Sequence, residues 1–268
     1  MPFRTSVSAK HVSFLNTYLT PTNCLTKQIP VDRLISMNKF LATLLISFSL
    51  ISFPSWAADF KKGVFAYESG DYETALREWV PLAEQGDINA QTNLGFMYSE
   101  GQGVPQDYNT AVKWYTLAAE QGGMDAQTSL GWMYKMGDGV PQDYKTAAKW
   151  YTLAAEQGAA NGQFVLGLMY ENGEGVLQDY KTAAKWYTLA AEQGFEMAQF
   201  FLGLIYLNGY GILQDLVYAH MWLNIAAYNG YEAAAFNRDI AAKQMTPSQL
   251  EKAQNLAREC VAKDYKGC

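Results

Sequence analysis

Residues 143–158 read DYKTAAKWYTLAAEQG, and residues 179–194 read the same 16 letters. Residues 107–122 differ from both only at Asn109 and Val112. On either side of this segment the repetition continues. The dipeptide Leu-Gly stands at Leu94-Gly95, Leu130-Gly131, Leu166-Gly167 and Leu202-Gly203, always 36 residues apart. Four residues after each leucine comes a tyrosine: Tyr98, Tyr134, Tyr170 and Tyr206. Gly-x-Gly recurs as Gly101/Gly103, Gly137/Gly139, Gly173/Gly175 and Gly209/Gly211. Gln-Asp recurs at Gln106-Asp107, Gln142-Asp143, Gln178-Asp179 and Gln214-Asp215, and tryptophan at Trp114, Trp150, Trp186 and Trp222. A fixed period of this length marks a repeat architecture, in which stacked units bury one continuous core.

Each unit reads as two helices. Helix A carries apolar residues at helical spacing, as in Ala90, Leu94, Met97 and Tyr98. It ends at Gly-x-Gly, where glycine admits the backbone conformations that stop a helix. Asp107, Asp143, Asp179 and Asp215 then stand where an N-cap carboxylate accepts the free N–H groups of the next helix. Helix B runs from Asn109 to Glu120, with Ala111, Tyr115, Ala118 and Ala119 on one side. Gly122, Gly158 and Gly194 end helix B in three successive units. Alanine and glycine at the crossings let helices approach closely, and tyrosine and tryptophan fill the space that remains. At the start, Phe60–Glu68 and Tyr72–Glu84 form a shortened unit without the Gly-x-Gly loop. At the finish, Thr246-Pro247 opens a helix with Leu250, Ala253, Leu256, Ala257, Cys260 and Val261 on one stripe. Both ends read as the caps that a stacked array needs for solubility.

The motif Ala126-Gln127-x-x-Leu130-Gly131-x-x-Tyr134, Gly137-x-Gly139-Val140, Asp143-Tyr144-x-x-Ala147-x-x-Trp150-Tyr151-x-x-Ala154-Ala155-x-x-Gly158 resembles the Sel1-like repeat family, a relative of the tetratricopeptide repeats. The likeness covers about residues 59–262. It implies an all-α fold, an α/α solenoid wound as a right-handed superhelix, and a role in protein–protein interaction. The units fall at about 59–86, 87–122, 123–158, 159–194, 195–230 and 231–262, the last a C-terminal cap. Departures are few. Gly162 replaces an alanine, residues 235–238 lose Leu-Gly, and His220 and Met221 stand in place of alanine and lysine.

The one long apolar run is Leu41–Phe53, preceded by Met37-Asn38-Lys39 and followed by Pro54, Ser55, Trp56, Ala57 and Ala58. That order of basic start, apolar stretch and small residues is that of a secretory signal, 37–57, cut after Ala57. Its 13 residues fall short of the ~20 a membrane-spanning helix needs. The expected location is therefore periplasmic or secreted, with no membrane insertion after cleavage. Residues 1–36 are expected to lie upstream of the natural start, or else to form a disordered arm. The mature domain is then 58–268. The whole chain has 20 basic and 26 acidic residues. Residues 1–57 hold five of the basic residues and one of the acids, which leaves 15 against 25, or −10, in 58–268. That sign disfavours nucleic acid as a partner. Cys24 falls in the discarded part. Cys260 and Cys268, eight residues apart, either bridge in an oxidising compartment or remain two free thiols.

The framework is copied between units while helix A is not. Windows 123–134 and 159–170 agree at only five of 12 positions. In tetratricopeptide-like stacks helix A lines the concave groove. Carrying that over makes two registers candidates for a partner-binding groove: Asn93, Ser129, Val165 and Phe201, and Phe96, Trp132, Leu168 and Leu204. Thr92, Thr128, Phe164 and Phe200 can join them. Such a groove has a mixed first half and an aromatic–aliphatic second half, suited to an extended peptide or a helix. The competing reading is substitution without function, or packing that differs from unit to unit. The Gly-x-Gly loops follow a helix and lack a following Gly-Lys-Ser/Thr, so they do not read as phosphate sites. His220 has no partner for acid–base work, and Ser69, Ser99 and Ser129 have no nucleophile context. No cofactor or metal is expected. The expected function is a monomeric, non-enzymatic, exported scaffold that binds a peptide or partner protein. The alternative, through likeness to cysteine-rich family members, is a weak hydrolase of cell-wall or β-lactam substrates. This chain lacks their paired cysteines and any Ser-x-x-Lys signature.

Overall fold

Twelve helices occupy residues 58–268, the part of the chain that the computed structural model describes. They are α1 Phe60–Glu68, α2 Tyr72–Glu84, α3 Ile88–Glu100, α4 Tyr108–Glu120, α5 Met124–Met136, α6 Tyr144–Glu156, α7 Ala160–Asn172, α8 Tyr180–Ala191, α9 Glu196–Asn208, α10 Leu216–Tyr228, α11 Glu232–Lys243 and α12 Pro247–Ala262. Odd-numbered helices are helix A of a unit and even-numbered ones, up to α10, are helix B. The signal segment 37–57, residues 1–36 and Cys24 lie outside the described residues.

The Gln-Asp dipeptide closes one helix and opens the next. At the end of α5, Gly137 adopts a left-handed φ of 84°. Its N–H donates to the Met133 carbonyl at 2.8 Å. Gln142 Nε2 then donates to the Lys135 carbonyl at 2.9 Å, which satisfies an orphan acceptor of the last turn. Asp143 follows directly and caps α6, accepting from Lys145 N–H at 2.9 Å and Thr146 N–H at 3.3 Å. The Thr146 hydroxyl adds a third bond to the same carboxylate at 2.6 Å. These donors, Thr146 first, hold the Asp143 carboxyl below the usual range. Asp107 and Asp179 repeat the arrangement with Thr110 and Thr182. Asp215 caps α10 through backbone N–H groups of Val217 and Tyr218.

Within a unit the Leu-Gly glycine faces a large residue of helix B, tyrosine in three units and Leu223 opposite Gly203. A Cβ on Gly167 would lie 2.6 Å from the Tyr187 ring, so only glycine lets α7 and α8 come this close. Between units a buried glutamine links three elements. Gln127 Nε2 donates to the Ala119 carbonyl at the end of α4, 3.1 Å away. Its Oε1 accepts from Gln157 Nε2 of the next unit at 2.7 Å. The pattern recurs at Gln91, Gln163 and Gln199, whose last partner is Asn229. A side chain buried this deeply needs both ends paired, and each of these is.

Every helix packs on the one before it, up to α11 on α10. The helix A rows also touch along the stack, α3 with α5 and α9 with α11. Among α2 to α10 no two successive B helices come as close as these two pairs. The last helix departs from the pattern, because α12 packs against α10 rather than pairing closely with α11. The residues of α10 explain this. Met221 and Ile225 are buried there, whereas the matching Lys185 is exposed and the matching Leu189 is 44% exposed. Helix α10 is apolar nearly all round, and a helix of that kind must be covered on more than one side. Ala253, Ala257 and Cys260 form the buried stripe of α12. Thr246 and Gln249 complete a capping box at its start. A disulfide joins Cys260 to Cys268 with a Cα separation of 5.5 Å.

Candidate functional site

The two helix A registers have different fates. Asn93, Ser129, Val165 and Phe201 are all half-buried, Asn93 beside Trp79 and the other three beside the tyrosines of the B helices. Burial pushes the Tyr115 hydroxyl up, while the neighbouring Ser99 and Ser129 hydroxyls pull it down by hydrogen bonding. Two units later the Tyr187 hydroxyl donates to Glu171 Oε2 at 2.5 Å. The Phe201 ring packs 5.6 Å from that of Tyr187. The drift from polar to apolar along this register follows what each residue meets between units.

The other register splits by position along the stack. Phe96 is 43% exposed and Trp132 49% exposed, while Leu168 and Leu204 are half-buried against the later core clusters. Phe164 and Phe200, expected as additional groove residues, are buried, and this corrects that expectation. Phe164 contacts Phe195, Phe201 and Tyr187. Phe200 packs against Tyr231 with ring centroids 4.7 Å apart. The aromatics of the second half thus turn into the core, and the exposed aromatic surface of the row lies in the first half. Thr92 and Thr128 donate their hydroxyls to carbonyls of their own helices, those of Ile88 and Met124.

At the first-half end, Asn93 and Phe96 border a hollow of ≈290 Å³ together with Val64, Tyr67, Glu68 and Trp79. Tyr67 meets Phe96 edge-on, with centroids 6.4 Å apart, and its hydroxyl donates to Gln102. Burial raises the Tyr67 hydroxyl above its ordinary range. Val64 and Tyr67 were not legible as groove residues, since α1 breaks the 36-residue spacing. The signal that finds them is Gly63, whose Cβ would strike Trp79 as that of Gly95 would strike Tyr115. That correspondence sets Val64 in register with Phe96. Across the next unit boundaries, Lys135 Nζ meets the Glu174 carboxylate at 3.0 Å.

His220 is 4% exposed. Burial and the adjacent Arg238 lower its pKa, and Nδ1 is buried without a hydrogen-bond partner. It lies on α10, a helix B. Among the described residues no helix is long and apolar enough to cross a membrane.

A stack of helical hairpins, with a constant framework and a variable helix A row, is an α/α repeat solenoid. Its sequence matches the Sel1 repeat over residues 88–123, 125–158, 160–195 and 196–231, and the chain belongs to the Sel1 repeat family. It is similar to c5321, a protective antigen present in uropathogenic Escherichia coli strains and displaying an SLR fold. The identity is 34%, over 77% of this chain and 46% of that one, with a TM-score of 0.69. It is also similar to a Sel1 repeat protein from Oxalobacter formigenes at 38% identity, over 61% of this chain and 48% of that one, with a TM-score of 0.57. The chain thus spans about half the length of these solved structures. No curated protein matches it. Sel1 repeats are in general protein-interaction scaffolds.

Proposed function

We propose that this chain is an exported, non-enzymatic scaffold that holds a peptide or a segment of a partner protein against the helix A face of its first units. The observation that carries this reading is the pair Phe96 and Trp132. They occupy one register in successive units, and both leave large aromatic surface in solvent on a face whose framework is otherwise filled. Aromatic side chains that lose little entropy on docking are the usual anchors of such interfaces. The hollow beside Phe96, walled by Tyr67 and Asn93, offers a pocket for one partner side chain. Export is supported by the signal pattern at 37–57 and is consistent with a disulfide between Cys260 and Cys268.

A photo-crosslinking amino acid placed at Trp132, and separately at Leu153 on the outer side of α6, tests the groove in the native compartment. A discrete adduct from position 132 and none from 153 is the expected result. Adducts from 153 alone would move the partner to the outer surface and overturn the groove reading.

A further inference from the structure

Because α12 crosses to α10 instead of pairing with α11, a cleft opens between the two last helices, with α10 as its floor. Its volume is ≈580 Å³, a size suited to a small ligand or to one or two side chains of a larger one. Ile225, Ala227, Ala257 and Val261 give it an apolar lining. Arg238 of α11 and Arg258 of α12 enter from the two walls.

The charge of this cleft runs against that of the molecule. Residues 58–268 carry 15 basic and 25 acidic residues, yet the lining of the cleft holds two arginines and no acid, the nearest carboxylate being that of Asp239 on Arg238. Three arginines occur in residues 58–268, and two of them are here; the third, Arg77, is on α2. Arginine presents a planar fork of donors that fits a carboxylate with two parallel bonds. Arg238 is oriented by Asn224, whose Oδ1 accepts from its Nη1 at 3.3 Å. Its Nε and Nη2 both donate to Asp239 Oδ1, at 3.0 and 2.9 Å, so a ligand carboxylate has to take the place of the exposed Asp239 on the half-buried Arg238. Arg258 donates only to Asn255, on its own helix.

We infer that this cleft is a second docking site, separate from the helix A row, for an acidic peptide segment that inserts an apolar side chain between α11 and α12 and places a carboxylate against Arg238 and Arg258. The apolar floor accounts for the side chain, and the guanidinium groups on the two walls account for the acid.

The test measures fluorescence anisotropy of a labelled peptide of alternating leucine and glutamate against the full chain. A leucine–glutamine twin and free decanoate are the comparison probes. The expected result is saturable binding of the glutamate peptide that weakens tenfold or more in Arg258→Gln and in Arg238→Gln. The glutamine twin fails to bind at the same concentrations, and Trp132→Ala leaves the affinity unchanged. Arg258→Gln carries the decision if Arg238→Gln disturbs α11, because Arg258 is exposed and its helical melt is expected to match the parent chain. Absence of saturable binding, equal binding of the two peptides, or indifference to Arg258→Gln overturns the inference. Displacement of the peptide by decanoate at comparable affinity also overturns it, in favour of a small carboxylate. A loss caused by Trp132→Ala alone places the peptide in the helix A row and leaves nothing for the cleft.

Discussion

At Gly167 a methyl group would stand 2.6 Å from the Tyr187 ring. That ring is fully buried, and its hydroxyl is held by Glu171, so it has little freedom to retreat. Alanine would gain about 1 kcal/mol of helix propensity over glycine. Overpacking a fixed core costs about 1–3 kcal/mol, and here it wins. Gly167→Ala is therefore expected to lower the urea midpoint with the slope unchanged, and a raised midpoint would show that the two helices can separate freely. Gln127 tests the other kind of contact. Gln127→Leu keeps the volume but removes both of its hydrogen bonds, leaving the Ala119 carbonyl with the Gly122 N–H and the Gln157 amide with the Leu153 carbonyl, at a cost of about 1–3 kcal/mol for the two bonds in the same titration. Leu-Gly and Ala-Gln were legible as repeated letters, and the glycine's meaning could be read with them. The glutamine's could not, because its partners lie 8 and 30 residues away and only stacking brings them together.

The helices themselves were readable from spacing and caps, including the shortened first pair and the Thr246-Pro247 start of α12. What spacing left open was the direction of the variable side chains of helix A. Phe201 and Trp132 occupy adjacent registers that differ by three positions, and the neighbouring unit decides which register is covered. The contrast can be measured by thermal melts. Phe96→Ala and Trp132→Ala remove exposed rings and are expected to change stability by no more than about 0.5 kcal/mol each. Phe164→Ala empties a core position and is expected to cost about 3–5 kcal/mol. A large loss from Trp132→Ala would make that residue structural. The α1–α2 pair makes a separate prediction about pH. The Glu78 carboxylate accepts from Lys62 Nζ at 2.5 Å and from Asp59 N–H at 3.1 Å. These bonds, Lys62 first, lower its pKa. A carboxyl depressed in the folded state stabilises fully above its unfolded pKa of about 4.3 and loses that contribution as pH falls through the folded value. Helix α1 is thus expected to lose amide protection on acidification below that range, and Glu78→Gln to flatten the dependence.

In a stack where each unit touches mainly its neighbours, stability is close to a sum of unit and interface contributions, so damage stays local. The period of 36 residues made that organisation legible, but not the fold-back of α12. The relevant letters, Met221 and Ile225, were visible only as departures from the repeat. Their purpose depends on a helix that arrives after α11. The C-terminal tail then fastens α12 to two earlier units. Tyr265 donates its hydroxyl to Asn229 at 3.0 Å, and the Gly267 N–H donates to Glu192 at 3.2 Å. Asp264 and Tyr265 hold positive φ angles of 50° and 65°, a conformation costly for residues other than glycine and kept by the surrounding contacts. The disulfide closes a loop over a separation of eight residues, for which loop entropy predicts about 2.5 kcal/mol of stabilisation. Reduction should let the strained pair relax and the two tail contacts break. Met221 and Ile225 would then be less well covered, while the Gln127–Gln157 link several units away stays intact. The expected outcome under a mild reductant is faster hydrogen exchange across 247–262 and in the exposed half of 216–228, with 88–158 unchanged. Acceleration spread evenly over 88–268 would mean that the array unfolds as one cooperative body, and no acceleration would mean that α12 is held by its apolar stripe alone.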